Sequence, residues 1–394
     1  MKIREEIAEI LEKAKEKPLN REDALTLTTA NPNETLELMK TALSIKVKSY
    51  GHIVTYSRKV FVPLTNLCRN KCAYCGFRKE PREPGAGYLS INDALKIVVV
   101  GEKLGAKEIL VSTGEKPETI YEEARAFLRR HGYTSTVEYV RDFEEKALEK
   151  TENMLIHTNI GVLTKKEMAE LKPFNVSMGL MLESISERLM DKGMPHEKSP
   201  TKHPKVRLRM IREAGELKIP FTTGILIGIG ETWEERIDSL LEIRRIHSEY
   251  GHIQEVIIQN FMPELKTPME KHLPPSTYEM IKTIAIARLI FHGEVSVQAP
   301  PNLTPQSYQL YLLAGINDWG GVSPLTPDFV NIAYPWPKIW EIKKITEELG
   351  FMLRERLAIY PKYILLKQYP KNLEYRILKL VDENGLVKME YTFY

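Results

Sequence analysis

The chain has 394 residues, 43% of them hydrophobic, enough to bury a full core and to fit one large barrel or two ordinary domains. Its 56 basic and 53 acidic side chains leave a formal net charge of +3, which argues against a nucleic-acid or anionic-membrane partner and for a small-molecule one. No apolar run approaches the roughly 18 to 20 residues that cross a bilayer, and the charged start Met1-Lys2-Ile3-Arg4-Glu5-Glu6 is unlike a signal peptide, so the expected location is cytoplasmic.

Residues 1–50 read as a helical lead-in. Ile3, Ile7, Ile10 and Leu11 keep helical spacing, and Asn33 followed by Glu34 caps a second run over 35–49. From Val60 the period changes. Val60-Phe61-Val62-Pro63-Leu64 is the first predicted strand, and it ends in a loop that holds every cysteine of the chain, Cys68-Arg69-Asn70-Lys71-Cys72-Ala73-Tyr74-Cys75. Thiolates are soft ligands suited to zinc or to iron–sulfur clusters, and both closed sites take four ligands. A [4Fe–4S] cubane held by Cys68, Cys72 and Cys75 keeps one iron without a protein ligand, open to a small molecule that brings its own donors. Zinc would want a second ligand pair, and none of the nine histidines forms an H-x-x-x-H partner. Three clustered cysteines make no disulfide framework, and a low-potential cluster needs a reducing compartment.

Further along, apolar runs of strand length alternate with amphipathic segments of helix length. The runs are 109–111, 154–156, 176–182, 221–227, 256–258, 295–297 and a stretch near Ile316. With the first they make eight, the pattern of parallel βα units, so the predicted fold is α/β, a closed (β/α)8 barrel of the TIM type over 51–335. Ser90 and Asp93 stand in capping-box spacing before a helix over 94–104, and Gly105 marks its stop. The remainder, 336–394, reads as a small extension: a helix, then a hairpin over 375–394 turning at Asn384-Gly385.

Barrels of this kind gather their chemistry at the C-terminal ends of the strands. After strand two, Ser112-Thr113-Gly114-Glu115 offers a glycine for close backbone approach and a carboxylate that can accept from an ammonium. His157 and Asn159 follow strand three. Glu183 follows strand four, either meeting a ribose diol or capping the next helix. Arg207 opens the helix before strand five, which itself runs into the glycine turn Gly228-Ile229-Gly230-Glu231. Gln259 and Asn260, then Gln298 and Asn302, then Asn317, Asp318 and Trp319 are expected on the last three rims. Amides match the donor and acceptor edges of a pyrimidine or polyol hydroxyls, and Trp319 can stack on a flat ring, so these positions describe a neutral, polar, ring-bearing substrate.

The spacing C-x-x-x-C-x-x-C, with an aromatic before the last cysteine, resembles the cluster loop of the radical S-adenosylmethionine (SAM) superfamily. The resemblance implies that SAM chelates the open iron and is cleaved to methionine and a 5′-deoxyadenosyl radical. It implies Tyr74 beside the adenine, Glu115 on the SAM amino group, although Thr113 departs from the G-G-E pattern, and Arg207 on its carboxylate. Gly228 and Glu231 match the G-x-I-x-G-x-x-E adenine element.

Longer strings are similar to one branch of that superfamily, the deazaflavin-forming synthases, over about 50–360. They include Val62-Pro63-Leu64-Thr65-Asn66-Leu67-Cys68, Gly179-Leu180-Met181-Leu182-Glu183-Ser184 and Ala314-Gly315-Ile316-Asn317-Asp318-Trp319-Gly320-Gly321. That likeness implies radical closure of a ribitylaminouracil–hydroxybenzyl adduct with loss of ammonia. It implies an adduct supplied by a sister subunit, CofH, and an external electron donor. Asp318 is then the expected proton-transfer group, with Asn302 as its orienter and His157 as a further catalytic candidate. Two alternatives stay open: another radical SAM enzyme, of the menaquinone-pathway or hydrogenase-maturation type, and a non-catalytic iron–sulfur carrier. A carrier has no need of the glycine and carboxylate elements after strands two and five.

Overall fold

The computed structural model describes residues 3–392; Met1 and Lys2 of the charged start, and Phe393 and Tyr394 at the end of the expected hairpin, lie outside the described residues. Eight parallel strands close a barrel: β1 (Ile53–Thr65), β2 (Glu108–Thr113), β3 (Leu155–Asn159), β4 (Asn175–Gly179), β5 (Phe221–Ile227), β6 (Ile253–Asn260), β7 (Ser296–Gln298) and β8 (Asp318–Val322). Each pairs with the next, and β1 pairs with both β8 and β2, so the ring has no free edge. A ninth parallel strand, β9 (Met352–Arg356), pairs with the first half of β1, where Ile53 meets Met352 and Ser57 meets Arg356. The second half of β1, from Lys59, pairs with β2.

The connecting helices are capped as their sequences dictate. Ser90 accepts from the Asp93 N–H at the start of helix Ile91–Lys103, and Thr232 and Glu235 form a reciprocal capping box on helix Trp233–Tyr250. The lead-in holds three helices, Glu5–Ala14, Arg21–Thr28 and Pro32–Tyr50. The cap of the third is Asn31, two residues before the expected Asn33, because Pro32 can start a helix and Asn31 can close a capping box with Glu34. Glu34 also binds Arg4 at 2.8 Å, and that guanidinium holds its carboxyl down to about 2. Among the described residues no helix is long and apolar enough to cross a membrane.

Two expectations shift. Strand eight begins at Asp318 instead of lying near Ile316, and the tail contributes β9 to the barrel sheet. The expected hairpin is a helix, Glu374–Leu380, followed by a turn at Asn384-Gly385 that a single antiparallel bridge closes between Val381 and Val387. A two-stranded ribbon alone is marginal in water, and Ile377 and Leu380 bury their side chains better on a helix packed against the core.

The segment after β9 plugs the bottom of the barrel. Arg356 binds Asp318 through two bonds, of 2.6 and 2.9 Å, and stands 3.6 Å from Glu255. The Ala358 carbonyl accepts from Ser177 Oγ at 2.7 Å and Gln254 Nε2 at 3.2 Å. Lys107 and Glu355 form a second buried pair at 2.9 Å.

Candidate active site

The loop that leaves β1 is pinned on two sides. Arg69 N–H donates to the Glu115 carbonyl at 2.9 Å, while Lys71 N–H and Ala73 N–H donate to the carbonyls of Lys198 and Pro195 at 3.0 and 2.9 Å. Asn70 bridges the two walls, donating to Glu115 Oε2 at 3.3 Å and to Thr201 Oγ1 at 2.6 Å. The thiols are half-buried and receive donors: Glu115 N–H and Asn70 N–H on Cys68 Sγ at 3.2 and 3.4 Å, and Ser199 Oγ on Cys72 Sγ at 3.3 Å. Burial pushes the Cys68 thiol up to about 12 against those donors. A cationic centre reverses that preference, because a metal-bound thiol is deprotonated.

Gly114 is required by proximity. A Cβ there would stand 2.0 Å from the Leu67 carbonyl oxygen and 2.8 Å from Cys68 Cβ. Glu115 beside it is 3% exposed; its Oε2 accepts from Val162 N–H at 3.0 Å, and its Oε1 has no protein partner. An unpaired buried carboxylate oxygen beside three thiols suits an ammonium-bearing ligand. Among the described residues no three His, Cys, Asp or Glu side chains group to hold a single metal ion, whereas cubane ligands each take a different iron and need not share one point. These residues fit a [4Fe–4S] cluster with a bound amino-acid-type ligand.

The three thiols open into a cavity of about 360 Å³ that runs down the barrel to Arg356 and Ala358. Near the mouth it is lined by Tyr74, Gly114, Glu115, Glu183 and Arg207. Tyr74 OH hydrogen-bonds with His196 Nε2 at 2.9 Å, and burial holds that imidazole neutral, its pKa down to about 2. Glu183 adopts φ +66° and pairs with Lys202, whose amine stands 5.8 Å from the Tyr74 ring centroid. Arg207 donates to the carbonyls of Met181 and Thr201.

Further lining comes from His157 and Asn159 of β3, Gln259 and Asn260 of β6 and Gln298 of β7. His157 Nδ1 lies 2.7 Å from Ser177 Oγ, whose single hydroxyl proton goes to the Ala358 carbonyl. Nδ1 therefore carries the imidazole proton, and Nε2 presents a lone pair. Burial keeps the ring neutral, with its pKa lowered to about 4. Both amide atoms of Asn260, and Gln298 Oε1, are buried without partners.

Six expected positions lie outside this cavity. Because β8 begins at Asp318, the stretch 317–319 sits at the lower end of that strand and not on the rim above it. Asp318 is fully buried and bound by Arg356, Thr55 and Gly320 N–H. Asn317 accepts from Arg288 at 2.6 Å and Val297 N–H at 3.0 Å. Trp319 faces the outer helices, donating to Thr346 at 3.1 Å, since successive strand residues alternate sides. Asn302 donates to Asp328 and to the Tyr334 carbonyl, both at 3.0 Å, and so ties a rim loop. Glu231 accepts from the N–H groups of Gly228 and Ile229 and pairs with Arg236 at 2.6 Å, while Gly228, at φ +90°, packs against Pro275; both shape the turn after β5. The sequence reading missed Lys59, Glu108, Gln254, Glu255 and Arg356, which line the inner end. Their signal was a charged or amide residue inside or just before an apolar run, as in Arg58-Lys59-Val60 and Gln254-Glu255-Val256.

Comparison with known proteins agrees with this architecture. The sequence model of the radical SAM superfamily matches residues 62–243. A 7,8-didemethyl-8-hydroxy-5-deazariboflavin synthase of Methanopyrus kandleri is 53% identical over 336 residues, 85% of this chain and 100% of that protein. One from Methanocaldococcus jannaschii is 46% identical, covering 88% of this chain and 94% of its own. The FeFe-hydrogenase maturase HydG from Carboxydothermus hydrogenoformans superposes with a TM-score of 0.74 at 20% identity, over 95% of this chain and 90% of that one. Methylornithine synthase gives 0.65 at 18% identity, over 88% and 97%. These two show the shared barrel fold. The chain is an enzyme of the radical SAM superfamily, whose members bind a [4Fe–4S] cluster and SAM, and within it belongs to the family of 7,8-didemethyl-8-hydroxy-5-deazariboflavin synthases.

Proposed function

We propose that this enzyme closes 5-amino-5-(4-hydroxybenzyl)-6-(D-ribitylimino)-5,6-dihydrouracil to 7,8-didemethyl-8-hydroxy-5-deazariboflavin. Adduct and SAM give deazaflavin, ammonia, methionine, 5′-deoxyadenosine and a proton, so the substrate loses two electrons and SAM takes them up. The observation that carries the reading is a single cavity joining three thiols at its mouth to unpaired amides and a neutral imidazole inside. Relatives of nearly equal length that bear the synthase name support the choice of substrate.

Cys68, Cys72 and Cys75 hold the cluster, and Glu115, Arg207, Glu183 and Tyr74 hold SAM. When bound, these groups supply a hydrogen-atom acceptor. The chain's own residues do the rest. The plugged floor keeps bulk water from the inner end, and the amides of Asn159, Gln259, Asn260 and Gln298 orient the pyrimidine and ribityl groups for attack. His157 accepts at Nε2 the proton released as the ring system becomes conjugated. That role passes to it from Asp318, whose carboxylate Arg356 already occupies. A sister subunit, CofH, supplies the adduct, and a low-potential donor supplies a priming electron that the net reaction does not consume.

The test is anaerobic incubation of the reconstituted protein with SAM, reductant and adduct, following 5′-deoxyadenosine and deazaflavin fluorescence. SAM cleavage without deazaflavin would remove the substrate assignment. His157→Gln is expected to cleave SAM while deazaflavin formation falls about 10²–10⁴-fold; an unchanged rate would end the imidazole's role.

A further inference from the structure

Lys59 is one of the groups in this cavity that the roles above leave unused. It comes from the middle of β1, is 8% exposed, and among the described residues its amine has no hydrogen-bond or ion-pair partner. What holds it is shape. Its stem crosses β8 over Gly321, where a Cβ would stand 2.4 Å from Lys59 Cδ and 2.9 Å from its Nζ, and the Trp336 ring lies 4.6 Å from the amine.

The adjoining glycine does the same for the other flank. A Cβ on Gly320, at φ +77°, would stand 2.4 Å from Gln298 Nε2. That amide nitrogen already donates to the Trp319 carbonyl at 3.3 Å, which fixes the flip and leaves Gln298 Oε1 buried and unpaired. Two neighbouring glycines thus clear a window in β8, and the strands on either side send across it one unpaired amine donor and one unpaired acceptor. Leaving both unmade is costly unless a ligand completes them.

We propose that Lys59 and Gln298 form a two-point clamp for an O=C–N–H edge, Lys59 donating to the carbonyl oxygen and Gln298 Oε1 accepting from the ring N–H. This rests on the substrate reading above and deepens it: the pyrimidinedione enters imide-edge first, toward β8. Burial lowers the amine's pKa against the opposing pull of Glu108, Asp328 and Glu255, and as ammonium or as amine the group still carries an N–H to donate to a neutral carbonyl. A carboxylate ligand would instead be drawn to Arg207 at the mouth.

Binding to the reconstituted wild-type protein, by titration calorimetry, is compared for ribitylaminouracil and its N3-methyl derivative. The clamp predicts a loss of about tenfold to hundredfold on methylation, and a similar loss for the parent compound in Lys59→Met. Gln298→Leu should bind both compounds equally. Lys59→Met should keep the wild-type melting profile and cluster absorbance, which separates a lost contact from a lost fold. Methylation without effect on wild-type binding, or Lys59→Met with wild-type affinity, would overturn the clamp even where deazaflavin is formed. A wild-type enzyme that forms no deazaflavin from the adduct would overturn the substrate reading, and the clamp with it.

Discussion

Single residues decide how close the chain comes to its ligands. Gly114 has no room for a methyl group against Leu67 and Cys68, so Gly114→Ala must displace the thiol loop. The expected outcome is loss of most bound iron with little change in the melting temperature of the apoprotein, read by iron assay and thermal denaturation. Glu144 shows a different constraint. It is fully buried against Thr158 and Asn175, and burial raises its pKa to about 8. The folded state keeps this proton up to about pH 8, whereas the unfolded chain releases it near 4.5, so this residue's contribution to stability declines with rising pH across that window. Glu144→Gln should remove that contribution, so the urea midpoint should change more favourably from pH 4.5 to pH 8 in the variant than in the wild type. Cys68, Gly114 and Glu115 were legible because their spacing is local. Lys59 and Glu255 were not, because a charged residue inside a strand declares its neighbours only when the ring closes.

At the scale of elements, β9 and the plug after it are the main departure from a plain barrel. Arg356, 3% exposed, compensates Asp318 across the floor. Arg356→Met should cost about 3–5 kcal/mol by leaving a buried carboxylate unpaired, and adding Asp318→Asn should recover part of it, measured by chemical denaturation. If Arg356→Met proved neutral, the plug would not contribute to stability through this pair. The same plug sets the tautomer of His157 through Ser177 and the Ala358 carbonyl. Eight strands were legible from period and length. The ninth was hidden, because Met352-Leu353-Arg354-Glu355-Arg356 ends in three successive charged residues, as a solvent-facing segment would, yet its Glu355 and Arg356 find partners inside the molecule.

For the whole molecule, buried histidines set the acid limit. His157, His196, His247 and His252 are all lowered, to about 4, 2, 3 and 4, each chiefly by burial. Unfolding at acid pH lets all of them take up protons near 6.5, so the unfolded state binds more protons and stability falls as pH drops from about 6.5 toward 4. The raised carboxyls of Glu144, Glu255, Glu264 and Glu355 oppose this in part. Thermal denaturation between about pH 7 and 5 should show the decline, and His247→Asn should lessen it.

The sequence by itself determined what depends on near neighbours and on period: the thiol spacing, the capped helices, the alternation of strands and helices, and the glycine–carboxylate pair beside the cluster loop. Tertiary structure decided which faces of those strands look inward and which level of the barrel each residue occupies. The stretch expected on the rim after strand eight is instead the start of that strand, which carried Asp318 to the floor, and alternation along the strand then turned Trp319 outward.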